Sequence, residues 1–271
     1  MAPRRPPQPQ SEGPPTLPWA DWYAREAGTI KQGDHILFVG PTQSGKTVLC
    51  RKVVRLRDYA VVFGTKPVDP SLDAYVNEGY ARIDHWPPVK KDYKDQPEGQ
   101  ARFILWPKMR ERADLRRYRD VYAKALEQIF IEGRWAVVAD EGLWIASRKG
   151  LNLETELGDV AYGGASNKVS LYLLAQRQAN VGPVAWTSVS QALVFHMGRT
   201  DDVRDLASLG TYPPAEAVKV IQRLRGHQFL DLPCRGGVEW AVSEVDHRVQ
   251  SAGAGRYVGC TGHALCLVVN R

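Results

Sequence analysis

The octapeptide Gly40-Pro41-Thr42-Gln43-Ser44-Gly45-Lys46-Thr47 lies between the apolar run Ile36-Leu37-Phe38-Val39 and a segment of helical periodicity that begins near Lys46. Its Gly-x-x-x-x-Gly-Lys-Thr pattern, in a strand-loop-helix setting, is that of a phosphate-binding loop. Glycines let the backbone curl so that successive N–H groups and the helix N-terminus converge on a polyanion. Residues 40–47 are therefore expected to cradle a nucleotide. Lys46 would reach its β- and γ-phosphates and Thr47 would ligate Mg2+.

A second stretch complements the first. Trp135-Ala136-Val137-Val138-Ala139-Asp140-Glu141 is an apolar strand that ends in paired carboxylates. Asp140 is expected to help hold the Mg2+ and Glu141 to polarise the water that attacks the γ-phosphate. A third strand, 169–175, ends in Gln176-Arg177-Gln178. In a parallel sheet the strand carboxyl ends face the ligand crevice, so Gln176 is placed to hydrogen-bond the γ-phosphate or the attacking water. A plain surface turn is the alternative for Gln176. The expected catalytic set is Lys46, Glu141 and Gln176, acting on ATP.

Around these motifs the chain reads as α/β with a mostly parallel sheet. Residues 1–18 are dense in proline and read as a tail, residues 19–246 as one domain, and residues 247–271, rich in Gly and Ala, as a second tail. Trp19, Trp22 and Tyr23 read as an edge-packing anchor, with adenine stacking as the alternative. Val48, Leu49, Cys50, Val53 and Val54 form a core stripe, with Arg51, Lys52, Arg55 and Arg57 on other faces. Strands are expected over 59–63, 102–106 and 192–197, helices over 70–78, 114–132 and 200–209, the last capped at Thr200, and a further helix after Pro214. Residues 87–100 read as a surface insertion. A hairpin over 227–245 closes the domain.

Charge and cysteine content bound the partners. The 271 residues carry 36 basic and 30 acidic side chains, a net +6, which permits a polyanionic partner beyond the nucleotide. Lys108, Arg110, Arg112, Arg116, Arg117 and Arg119 form the densest basic cluster; Arg110, Arg112 and Arg116 are the candidate contacts to such a polyanion, a solvated face being the alternative. Four scattered cysteines argue for a reducing compartment. Cys260, His263 and Cys266, with Cys234, could form a zinc site, but the spacing fits no strong template and unrelated cysteines are the plainer reading. The start lacks the apolar core of a signal peptide and no run approaches membrane-spanning length, so the protein is expected in the cytoplasm.

The order of phosphate loop, inserted strand, apolar strand ending in Asp-Glu, strand ending in Ala-Gln-Arg, one more strand and a terminal hairpin resembles the FtsK/HerA superfamily of DNA-pumping ATPases over residues 30–246. Within it, Leu173 to Gly182 looks like that superfamily's Ala-Thr-Gln-Arg-Pro segment, and the simple build is similar to viral genome-packaging ATPases. The resemblance implies an additional-strand catalytic-glutamate sheet, a homo-oligomeric ring of five or six subunits, translocation of double-stranded DNA, and in a viral setting a portal or coat partner. It also implies an arginine shortly before the Gln176 strand, given to the neighbouring subunit's nucleotide. Residues 162–168 contain none. Lys168, Arg148, Arg177 and Arg199 are the candidates for that trans-acting cation, Lys168 lacking the planar fork of arginine. A nucleotide or small-molecule kinase, and an ATP-switched assembly protein, are the alternatives.

Overall fold

The structure, a computed structural model, describes residues 13–108, 114–140, 142–177, 188–236 and 238–246. Glu141, Arg110, Arg112, Cys260, His263 and Cys266 lie outside the described residues.

In chain order the elements are α1 (Trp19–Thr29), β1 (Ile36–Val39), α2 (Lys46–Val54), β2 (Tyr59–Phe63), α3 (Ser71–Val76), β3 (Ala81–Ile83), β4 (Ala101–Leu105), α4 (Leu115–Glu132) and β5 (Ala136–Asp140). They continue with α5 (Gly142–Ala146), α6 (Glu154–Gly163), β6 (Ser170–Ala175), β7 (Gln191–Phe195), α7 (Thr200–Ala207), α8 (Pro214–Arg223), β8 (Gln228–Pro233) and β9 (Ala241–Glu244). The strands form one nine-stranded sheet in the order β3-β4-β2-β5-β6-β1-β7-β8-β9. From β3 through β7 neighbours run parallel; β7-β8 and β8-β9 are antiparallel, the last pair forming the expected hairpin. The additional strand between β1 and β5 is β6.

Both faces of the sheet are covered, which is why β1 reads as an unbroken apolar run. Ile36 and Phe38 pack with Trp22, Leu49, Val53 and Leu72, from α1, α2 and α3. Leu37 and Val39 pack on the other face with Tyr122, Leu126, Val160, Val203 and Ile221, from α4, α6, α7 and α8. Helix α4 buries Tyr118, Tyr122, Ala125, Leu126 and Ile129, one stripe at helical spacing, and stops at Gly133, whose φ is 73°.

Several features depart from expectation or go beyond it. Arg51, Lys52 and Arg57, which the sequence places on faces other than the core stripe, are themselves buried. Arg51 pairs with Glu78 at 2.6 Å, and Arg57 donates to the Tyr172 hydroxyl and the Ile30 carbonyl, both at 2.9 Å. Buried cations persist when paired in this way. The N-cap of α7 is Arg199, with no side-chain cap. Strand β3 has no counterpart in the sequence reading, since three residues with Arg82 at their centre carry no usable alternation. Pro15 and Leu17, at the end of the proline-rich stretch, pair with the last strand: Leu17 N–H donates to the Val242 carbonyl at 2.8 Å and Val242 N–H to the Pro15 carbonyl at 2.9 Å. Those bonds occupy backbone groups along the edge of β9.

Candidate nucleotide-binding site

The loop leaves β1 at the centre of the sheet. Gly40 N–H donates to the Ala175 carbonyl at 3.2 Å, and a Cβ on residue 40 would stand 2.6 Å from Phe195 Cβ, so the close approach requires glycine. Gln43 and Gly45 take left-handed φ values of 65° and 106°, which turn the chain back into α2. No side chain caps α2, so its first-turn amides point into the loop without an intrahelical partner. Ser44 Oγ is buried with no hydrogen-bond partner.

Lys46 is 9% exposed and curls over the loop, donating from Nζ to the Gly40 carbonyl at 2.7 Å and the Pro41 carbonyl at 2.8 Å. Burial holds its ammonium below the usual lysine range; Asp140 opposes that shift and Lys66 adds to it. A glycine-lined turn, an unpartnered hydroxyl, uncapped helix amides and an overhanging ammonium fit a polyphosphate chain and its Mg2+.

Register brings the second motif to the same edge. Asp140 stands opposite Leu174 of β6, and Val39 opposite the next residue, Ala175. Two strand spacings, about 10 Å, separate β5 from β1. Asp140 is about a quarter exposed and lies 3.4 Å from Lys66 Nζ, which also stands 4.0 Å from Asp69. Gln176 and Arg177 are exposed and follow directly on β6, between the loop and Asp140. Thr47 follows Lys46 in the first turn of α2 and is half-buried.

Two residues at this edge carry little or no sequence signal. Lys66 reads only as the end of a strand; its position just beyond the carboxyl end of β2 is what could mark it. His227 has no signal at all, yet its Nδ1 lies 3.1 Å from the Ser44 carbonyl across 183 residues of sequence.

The remaining candidates scatter. Lys168, with a φ of 59°, precedes β6 and so sits at the opposite end of that strand, about 20 Å from the loop edge. Arg148 is exposed after α5. Arg199 follows β7 at the loop edge and pairs with Asp202 at 3.7 Å. Arg116 lines an open groove of about 540 Å³ with His85, Trp86, Arg117, Asp120 and Lys124. Arg119 is turned away to Glu156, at 3.2 Å.

Trp22 is fully buried, with Nε1 donating to Asp231 at 2.8 Å and its ring edge-on to Phe229, while Trp19 stacks on Tyr23 beside Lys52. Both packing partners favour the anchor reading over adenine stacking. Burial pushes the Cys234 thiol up to about 12, away from the thiolate a metal requires. Among the described residues no group of three or more His, Cys, Asp or Glu is placed to hold a metal, and no helix is long and apolar enough to cross a membrane.

No protein-family model matches the sequence, and no curated protein matches it. Solved structures do match. The DNA-packaging ATPase B204 from Sulfolobus turreted icosahedral virus superposes with a TM-score of 0.57 at 13% identity, covering 80% of this chain and 100% of that one. The genome packaging NTPase B204 of Sulfolobus turreted icosahedral virus 2, in complex with ATP-gammaS, gives 0.54 at 12% identity over 79% and 98%. VirB4 of Thermoanaerobacter pseudethanolicus gives 0.56 at 11% identity over 79% and 90%. At such identities the likeness concerns the fold alone: the mostly parallel α/β sheet described above is shared with these structures.

Proposed function

We propose that the chain is an ATPase that couples hydrolysis to movement of double-stranded DNA, in genome packaging or mobile-element transfer, working as a homo-oligomeric ring. The observation that carries this reading is the meeting, at one sheet edge, of a glycine cradle, the buried Lys46 ammonium, Asp140 and Gln176. The amides at the start of α2 and Ser44 Oγ receive the phosphates. Lys46 exchanges its two carbonyl partners for β- and γ-phosphate oxygens. Bound Mg2+ supplies charge neutralisation of the phosphates, with Thr47 and Asp140 as the residues that would hold it. Glu141, next in the chain after Asp140, takes the proton of the attacking water, and Gln176 orients that water from the strand between. Lys168, Arg148, Arg177 and Arg199 remain the candidates for a cation offered to a neighbouring copy; Lys168 lies at the opposite end of β6 from its own loop.

The DNA part of the reading is supported by the likeness to B204, a DNA-packaging ATPase, and by the groove on α4. Arg116, Arg117 and Lys124 make no ion pair or hydrogen bond among the described residues, whereas Arg119 on the same helix does. Unpaired cations on one face suit a phosphate backbone. The test is release of inorganic phosphate from ATP by the purified chain, with and without linear duplex DNA. Acceptor-free release, stimulated by DNA, is expected. Release that requires an acceptor would make the protein a kinase, and tight ATP binding without turnover would make it a nucleotide switch.

A further inference from the structure

We infer that His227 is a positioning residue of the phosphate loop and the link between that loop and the C-terminal hairpin. The inference rests on the nucleotide-site reading above and adds a residue that lies outside every loop motif. In a loop whose N–H groups converge on phosphate, the carbonyls cannot pair with those amides and need donors from elsewhere. The Gly40 and Pro41 carbonyls accept from Lys46 Nζ, and the Gly45 carbonyl accepts from Leu49 N–H at 2.9 Å. For the Ser44 carbonyl the donor comes from another element altogether: His227 Nδ1, at 3.1 Å. A carbonyl cannot donate, so Nδ1 carries the proton in this contact.

The imidazole also shapes the turn. A Cβ on residue 45 would stand 3.3 Å from His227 Nδ1, which together with the left-handed φ of 106° restricts that position to glycine. On the main-chain side, the His227 carbonyl accepts from Val245 N–H at 3.2 Å, just past the end of β9. One residue therefore grips the loop with its side chain and the hairpin with its backbone. Without the Nδ1–H donor, the Ser44 carbonyl can rotate toward the mouth of the loop, where its partial negative charge opposes a phosphate. The effect falls on nucleotide binding more than on chemistry. In the other direction, phosphate that draws the loop amides inward holds the Ser44 carbonyl outward against His227, and the hairpin is steadied with it.

The experiment compares the full chain with His227→Phe, which keeps a ring and removes the donor, and His227→Asn, whose Nδ2 can occupy the place of Nδ1. ATPγS affinity is measured by calorimetry, KM and kcat for ATP by phosphate release, and hydrogen exchange over residues 227–245 with and without ATPγS. His227→Phe is expected to weaken affinity roughly two- to tenfold, the range of a single hydrogen bond, with the change in KM exceeding that in kcat. His227→Asn is expected to stay within about twofold of the parent. ATPγS should slow exchange in the hairpin of the parent and of His227→Asn, but not of His227→Phe. Equal weakening by both variants, or parental affinity in His227→Phe, would overturn the inference. A parent chain that does not bind ATPγS would instead overturn the nucleotide-site reading on which it rests.

Discussion

Lys46 and Glu141 carry the sharpest expectations at the level of single residues. Lys46→Ala removes the one ammonium that the loop buries against its own carbonyls, and should lower ATP affinity roughly a hundredfold, the scale of a charge-assisted contact. Calorimetry with ATPγS measures this directly, and unchanged affinity would place the nucleotide elsewhere. Glu141→Gln keeps the shape of the side chain but not its basicity, and should lower kcat about 10²- to 10⁴-fold with ATP binding retained. Equal loss of binding and turnover would make Glu141 a metal or structural residue. These proposed roles can be read from the sequence because phosphate binding and water activation are local demands, which a loop and the end of one strand would meet. Lys66 and His227 are not, since what brings each to the loop is the register of other strands.

Helix α1 and strand β8 share a buried acid pair. Asp231 Oδ2 accepts from Trp22 Nε1 at 2.8 Å and from Arg25 Nη2 at 2.7 Å, and Gln191 Nε2 donates to both Asp231 Oδ1 and Glu26 Oε2. Arg25 is the guanidinium paired with both carboxyls, reaching Glu26 Oε1 at 2.8 Å, and Thr29 Oγ1 is the remaining polar neighbour on α1. Burial first, and the Glu26 charge second, push Asp231 up to about 7. A carboxyl raised in the folded state keeps a proton that the unfolded chain has already lost. Its contribution to stability is therefore present below about pH 4 and is lost as pH rises toward 7. Between pH 5 and pH 8 the thermal midpoint should fall, by about 5 °C if on the order of 2 kcal/mol is involved. Glu26→Gln removes the repulsion and should flatten that fall; an equally steep fall in the variant would assign the pH dependence to other groups. The tryptophan anchor is expected from sequence, but the acids beneath it are not, because Asp231 sits in an apolar run where alternation alone assigns no partner.

Across the whole molecule the groove on α4 and the nucleotide edge lie far apart: β3, beside the groove, is separated from β1 by β4, β2, β5 and β6, about 24 Å at the usual strand spacing. DNA binding and basal hydrolysis should therefore separate by mutation. Arg116→Ala with Arg117→Ala and Lys124→Ala is expected to weaken duplex binding and to shallow its logarithmic salt slope by about 0.9 for each phosphate no longer neutralised, up to about 2.7. Hydrolysis without DNA should persist. Fluorescence anisotropy of a labelled duplex across a salt series gives the slope, and a parental slope would make the groove a solvated face. The ring reading is checked by light scattering of the chain with ATPγS and duplex DNA, where a mass five or six times that of the monomer is expected and a persistent monomer would count against it.

The chemistry of each strand end, and the alternation of strands and helices, can be read from residues in order along the chain, because a phosphate loop, a carboxylate pair and an apolar run are each written in neighbouring positions. The resemblance drawn from the sequence rests on the same thing, the order in which those motifs occur. Which strand ends meet is settled only when the chain folds. That β6 rather than another strand lies between β1 and β5, that Arg51, Lys52 and Arg57 are enclosed rather than exposed, and that His227 returns to the loop all depend on sheet order and on helices packing over both faces. These are long-range contacts, chosen by burial of the whole core, and no window of sequence contains them.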